Sequence, residues 1–191
     1  FETGSVFNPA VIRVNDTVHV FYRAMNPQDV STVGYASFGP DLTLRHRFDH
    51  PVMVPEHPWE EHGIEDPRIV LIDGTYYLTY VAYDGMEAKA AYATSTDLVT
   101  FTKHGLITPT IPYSEIVSIL ATLPINPEYL WFARFFHDTC GFTSNLIEKN
   151  AVLFPQKING KFALLHRVHP GIQIIYFDDF SQLTNDFWRA Y

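Results

Sequence analysis

Residues 63–80 read Gly63-Ile64-Glu65-Asp66-Pro67-Arg68-Ile69-Val70-Leu71-Ile72-Asp73-Gly74-Thr75-Tyr76-Tyr77-Leu78-Thr79-Tyr80. A polar residue, Asp66, leads an apolar run. Asp73-Gly74 interrupts that run, and a second strand-like run follows. The pattern is that of a β-hairpin closed by a tight turn. It occurs again on both sides. Asn8-Pro9-Ala10-Val11-Ile12 precedes Asn15-Asp16-Thr17-Val18-His19-Val20-Phe21-Tyr22. Asn150-Ala151-Val152-Leu153-Phe154 precedes Asn159-Gly160-Lys161-Phe162-Ala163-Leu164-Leu165-His166. A unit repeated in this way predicts a propeller or solenoid, and the leading polar residues point to one shared site.

Around these hairpins the chain divides into blade-like units at about residues 5–48, 65–105 and 149–188, within one partial β-propeller domain spanning 1–191. The first unit adds a strand at Val33-Gly34-Tyr35-Ala36-Ser37. The second adds Ala90-Ala91-Tyr92-Ala93-Thr94-Ser95 and a turn at Asp97-Leu98, with weaker echoes at Asp41-Leu42 and Asp179-Phe180. Four strands per unit is the propeller-blade count. Residues 106–148 read as an insertion between blades, with Trp131 to Phe136 as a strand inside it. The fold class expected is all-β. Closed propellers have roughly 4–8 blades, so about three blades make a fragment, or a ring that other chains complete.

Composition narrows the functional classes. Hydrophobic residues make up 47% of the 191 and aromatics 15%, which suits a pleated, packed sheet. The formal net charge is −8 and no basic tract occurs, so nucleic-acid binding has no electrostatic footprint. No apolar run approaches the roughly 20 residues of a spanning helix. Cys140 is the only cysteine, which favours a reducing, cytoplasmic compartment and a buried, inert thiol. The chain opens on Phe1, so an upstream natural N-terminus is expected and export stays open. The nine histidines show no His-x-His or His-x-x-x-His spacing with suitable partners around it, and neither a metal nor an organic cofactor is expected.

The chemistry is concentrated at the unit starts. Inner propeller strands begin near the axis, so Asn8, Asp66 and Lys149-Asn150 should converge at one mouth of the channel. Arg23 ends the second strand of the first unit. Glu65 and Asp66 should fall on opposite faces of an extended segment. Crowded carboxylates repel, so one can hold a proton near neutral pH, as a general acid for glycosidic cleavage must. The competing reading is a structural Asp66 salt-bridged to Arg68. Trp59 sits in the Pro- and His-rich connection over 49–63, either stacking on a sugar or plugging the core.

Several of these stretches resemble glycoside hydrolase family 130. They are Phe7-Asn8-Pro9-Ala10, Phe21-Tyr22-Arg23-Ala24, Gly63-Ile64-Glu65-Asp66-Pro67-Arg68, Tyr77-Leu78-Thr79-Tyr80, Ala93-Thr94-Ser95-Thr96-Asp97-Leu98, Lys149-Asn150-Ala151-Val152-Leu153-Phe154-Pro155 and His166-Arg167-Val168-His169-Pro170. The resemblance covers nearly the whole chain outside about residues 106–140. It implies a five-bladed β-propeller, and inverting phosphorolysis of a β-mannoside by inorganic phosphate to give α-mannose 1-phosphate. By the same resemblance Asp66 is the general acid and acts through a sugar hydroxyl. Asn8 and Arg23 match residues that hold the mannosyl unit, and Lys149 and His169 match residues that bind phosphate. Glu65 and Trp59 are further sugar-binding candidates on this chain's own residues, Trp59 by stacking at the acceptor side. Lys89 stands where phosphorylases of the family commonly carry Arg, a point charge in place of a planar fork. Homo-oligomers are common in the family.

Phosphorolysis needs no general base, because its nucleophile arrives anionic. A hydrolase would need a second carboxylate, for which Glu115 and Glu148 are the candidates. A β-mannosidase on the same scaffold remains open, as does a non-catalytic sugar-binding propeller or inactive fragment.

Overall fold

A computed structural model describes residues 1–140 and 145–191, and the expectation for the Cys140 thiol lies outside what it describes. Strands β1 (Ser5–Val14), β2 (Thr17–Met25), β3 (Ser31–Phe38) and β4 (Leu44–Arg47) form one antiparallel meander. Strands β5 (Gly63–Ile72), β6 (Thr75–Tyr83), β7 (Ala88–Ser95) and β8 (Thr102–Leu106) form a second. A single parallel bridge, Ser31 to Gly63, joins them. The hairpin turns explain the local folding. Asp73 and Gly74 take φ 50° and 81°, and Asn159 and Gly160 take 50° and 80°. Two consecutive positive φ values make the turn whose twist matches paired strands, and Asn, Asp and Gly tolerate it best. The outer turns also repeat. Leu42 and Leu98 both have positive φ, and Asp41 and Asp97 each accept backbone N–H bonds from the residues that follow.

The third unit departs from the pattern. Strands β9 (Val152–Leu153), β10 (Phe162–His166) and β11 (Gln173–Phe177) make a three-stranded sheet, and a helix, α3 (Asn185–Ala190), follows it. We number as α1 and α2 the two earlier helices, Tyr113–Leu120 and Pro127–Cys140. The fold is therefore mostly β rather than all-β. The strand expected at Trp131 to Phe136 is a turn and a half of α2. Its aromatics are spaced for a helix: Trp131 stacks on Phe135, four residues on, at 5.7 Å. Asn126 Oδ1 accepts from the Glu128 N–H at 3.0 Å at the helix start, ahead of which Pro127 fixes φ.

Side-chain alternation distributes the core between the sheets. Ala91 and Ala93 of β7 face one way, into a cluster with Phe21, Val33, Tyr35, Ile64 and Leu78. Ala90 faces the other way, into a cluster with Ile107, Leu153, Phe162, Leu164 and Ile175. The second sheet is thus packed on both faces, and small alanines let both neighbours approach closely.

Candidate active site

β-Bulges place the leading polar residues. The β1–β2 register shifts between Phe7 and Ala10, and the β5–β6 register shifts between Glu65 and Arg68. Within these bulges Asn8 and Asp66 have the same φ, 48°. Asn and Asp are among the few side chains that enter this left-handed region readily. A bulge re-aims its side chain, and here it turns both toward one point. Asn8 Nδ2 donates to Asp66 Oδ1 at 2.6 Å. In the third unit Asn150 has φ 75° just ahead of β9.

Arg23, on β2, supplies the cation. Its Nε donates to Ser31 Oγ at 2.8 Å and its Nη2 to Glu65 Oε1 at 2.5 Å. Its Nη1 lies 3.8 Å from Asp66 Oδ1, and the guanidinium sits 4.7 Å above the Phe7 ring. Glu65 and Asp66 therefore share one guanidinium instead of occupying opposite faces. The bulge at Asp66 breaks the strict alternation on which that expectation rested. The expected Arg68 partnership is also replaced. Arg68 donates to the Pro67 carbonyl at 2.7 Å, and Asn8 and Arg23 hold Asp66.

Burial raises the Glu65 carboxyl above the ordinary glutamate range. The Arg23 guanidinium opposes the rise, the Asp66 charge adds to it, and Lys149 opposes it. Lys149 is thus within electrostatic reach of Glu65. Its approach is set by the strap leading to β9, where the Ala90 N–H donates to the Glu148 carbonyl at 3.1 Å and Thr79 Oγ1 to the Ala151 carbonyl at 2.7 Å. Two carboxyl groups, the Asn8 amide and the charges of Arg23 and Lys149 thus share one electrostatic neighbourhood around Glu65.

Other residues singled out in the sequence have different partners. Lys89 Nζ lies 2.6 Å from Glu87 Oε2 and donates to Thr110 Oγ1 at 3.3 Å. The His169 ring lies against Phe132 and Phe136 of α2, with centroids 5.9 and 5.4 Å away. Desolvation lowers its pKa and Arg167 lowers it further. Trp59 packs on the first core cluster and stacks on His57 at 4.6 Å. Glu115 pairs with Arg189 at 2.6 Å at the surface, and Glu148 is fully buried against His166. Sequence reasoning missed Ser31, which orients Arg23, and Glu87, which engages Lys89. Glu87 had a signal: it stands two residues before Lys89, just ahead of β7, the spacing that puts two side chains on one side of an extended segment. Ser31 had none.

Comparison with known proteins identifies the family. Residues 2–179 match the family model for glycoside hydrolase family 130, described as beta-1,4-mannooligosaccharide phosphorylase. The chain is 31% identical over 189 residues to a 1,2-beta-oligomannan phosphorylase of Thermoanaerobacter sp. (strain X514), covering 94% of this chain and 51% of that protein. It is 32% identical over 190 residues to a beta-1,2-mannobiose phosphorylase of the same strain, covering 91% and 51%. The crystal structure of a glycosyl hydrolase from Bacteroides ovatus superposes with a TM-score of 0.66 at 25% identity, covering 92% of this chain and 46% of that one. The chain spans about half the length of the curated relatives it matches. The family match extends over both bulges and the strap that carries Lys149, and by it the chain belongs to glycoside hydrolase family 130.

Proposed function

We propose that the protein is an inverting phosphorylase of a β-mannoside, with Asp66 as the general acid. An oxygen of inorganic phosphate attacks the anomeric carbon as the bond to the glycosidic oxygen breaks. A proton from Asp66 reaches that oxygen, and α-mannose 1-phosphate leaves. Asn8 and Arg23 hold the acid and the mannosyl unit, and Lys149 attracts the anion. The observation that carries the reading is the Asp66 carboxyl held at 2.6 Å by Asn8 with Arg23 3.8 Å away, next to Glu65, whose carboxyl feels the Lys149 charge. Neither Glu115, paired at the surface, nor Glu148, buried, is free to serve as the base of a hydrolase. The two relatives above 30% identity act on β-1,2 linkages by name, which supports that linkage first.

A β-mannosidase is the second reading. Its support is that Lys89 is engaged by Glu87 and His169 is stacked on α2, which leaves Lys149 as the expected phosphate ligand beside the carboxyl pair. Turnover of β-1,2-mannobiose with and without phosphate decides. Phosphate-dependent release of mannose 1-phosphate is expected. Free mannose at a rate independent of phosphate would reject phosphorolysis.

The architecture follows the same reading: a five-bladed propeller to which this chain contributes about three blades. Its support is the outer face of the first sheet, where Val6 and Leu44 are 49% and 56% exposed beside Tyr22 and Phe38, an apolar surface suited to another blade.

A further inference from the structure

Glu148 and His166 are 0% and 1% exposed, and Glu148 Oε1 touches His166 Nδ1. The contact lacks hydrogen-bond alignment, and among the described residues no other group bonds to their four polar atoms. The imidazole is otherwise enclosed by Trp188 and Tyr191, with ring centroids 4.9 and 5.5 Å away. Such a pair is a poor device for stability. Desolvation consumes most of its attraction, and apolar replacements of similar volume are often neutral or better. Its position suggests another use. Glu148 is bound to the second sheet through its backbone, by the bridge to Lys89 and the Ala90 N–H. Through its side chain it meets β10 of the separate three-stranded sheet at His166. The next residue in the chain is Lys149, the cation that acts on Glu65.

We infer that Glu148 and His166 are a positioning pair that fixes Lys149 at the anion subsite. The inference rests on the phosphorylase reading above. Without the pair, residues 148–150 keep their backbone attachment on one side only. Lys149 then samples more positions, and the loss falls on the anion rather than on the sugar.

The test uses the natural full-length protein with β-1,2-mannobiose and inorganic phosphate. Glu148→Gln and His166→Gln should each raise KM for phosphate on the order of tenfold, the scale of losing an outer-shell support. The disaccharide KM and kcat at saturating phosphate should stay within about twofold. Because either single change can unfold the protein, the double variant Glu148→Leu/His166→Phe is measured beside them. It removes both buried polar groups together, should retain the thermal midpoint, and should show the same rise. A native phosphate KM in the folded double variant would overturn the inference and leave the pair a packing contact. Turnover that ignores phosphate in the unmodified enzyme would reject phosphorolysis itself, and Lys149 positioning for phosphate with it.

Discussion

Asn8 Nδ2 stands 2.6 Å from Asp66 Oδ1, although 58 positions separate them in sequence and they belong to different β-meanders. Each lies in a bulge of its own β-meander, at the same left-handed φ. A repeat of local structure thus becomes one shared site. If Asp66 is the proton donor, Asp66→Asn keeps the shape and removes the proton. Turnover should fall by about 10²–10⁴, the usual contribution of a positioned acid, while calorimetry shows the substrate still binding. Retained turnover would remove Asp66 from the acid role.

The backbone at Asn8 separates structure from chemistry. Left-handed φ costs an ordinary L-residue roughly 1–2 kcal/mol and glycine almost nothing. Asn8→Ala should therefore lose about that stability in urea unfolding, in addition to its hydrogen bond. Asn8→Gly should recover most of the stability and none of the activity. Equal stability in the two variants would mean that the bulge is not held as described.

This bulge also shows what was legible in the sequence. The hairpins could be read because Asp73-Gly74 and Asn159-Gly160 carry their turn geometry in their residue types. The meeting of Asn8 with Asp66 followed from the repeat. The turning of Asp66 toward Arg23 did not, because a residue before proline is biased to extended backbone, and only the paired strand shows the slip in register. Helix α2 was illegible for a different reason. Trp131, Phe132, Phe135 and Phe136 have strand-favouring side chains, and their four-residue spacing outweighs that preference once the aromatics pack on each other and on His169. The partners of Lys89 and His169 depend on tertiary contacts that no local pattern encodes.

Glu65 provides a pH signature. Its folded pKa is raised, chiefly by burial. Between the unfolded and folded values the folded state binds the extra proton, so its contribution to stability falls as pH rises. The fall starts near the ordinary glutamate value of about 4.3 and ends once pH passes the raised folded value. Subtracting the Glu65→Gln unfolding free energy from that of the unmodified chain, across pH 4 to 8, should give a difference that declines with pH. A difference that rises with pH would mean that Arg23 outweighs desolvation at Glu65.

Gly63 links the sheets to the site. It has φ 140° and bridges Ser31, and a Cβ there would lie 2.7 Å from the Ser31 backbone nitrogen. Backbone cannot yield as a side-chain tip can, so Gly63→Ala must push Ser31 away. Ser31 Oγ is the acceptor that orients Arg23 Nε, and Arg23 in turn reaches both carboxyls. The substitution should cost roughly 1–3 kcal/mol through strain and also weaken turnover through Arg23. Ser31→Ala is the control, since it removes the hydroxyl and leaves the bridge. It should reduce turnover with a smaller loss in the thermal midpoint. If Gly63→Ala lowered stability while kcat/KM of the folded fraction stayed native, Arg23 would not depend on this bridge, and the close approach of the two meanders would serve the fold alone.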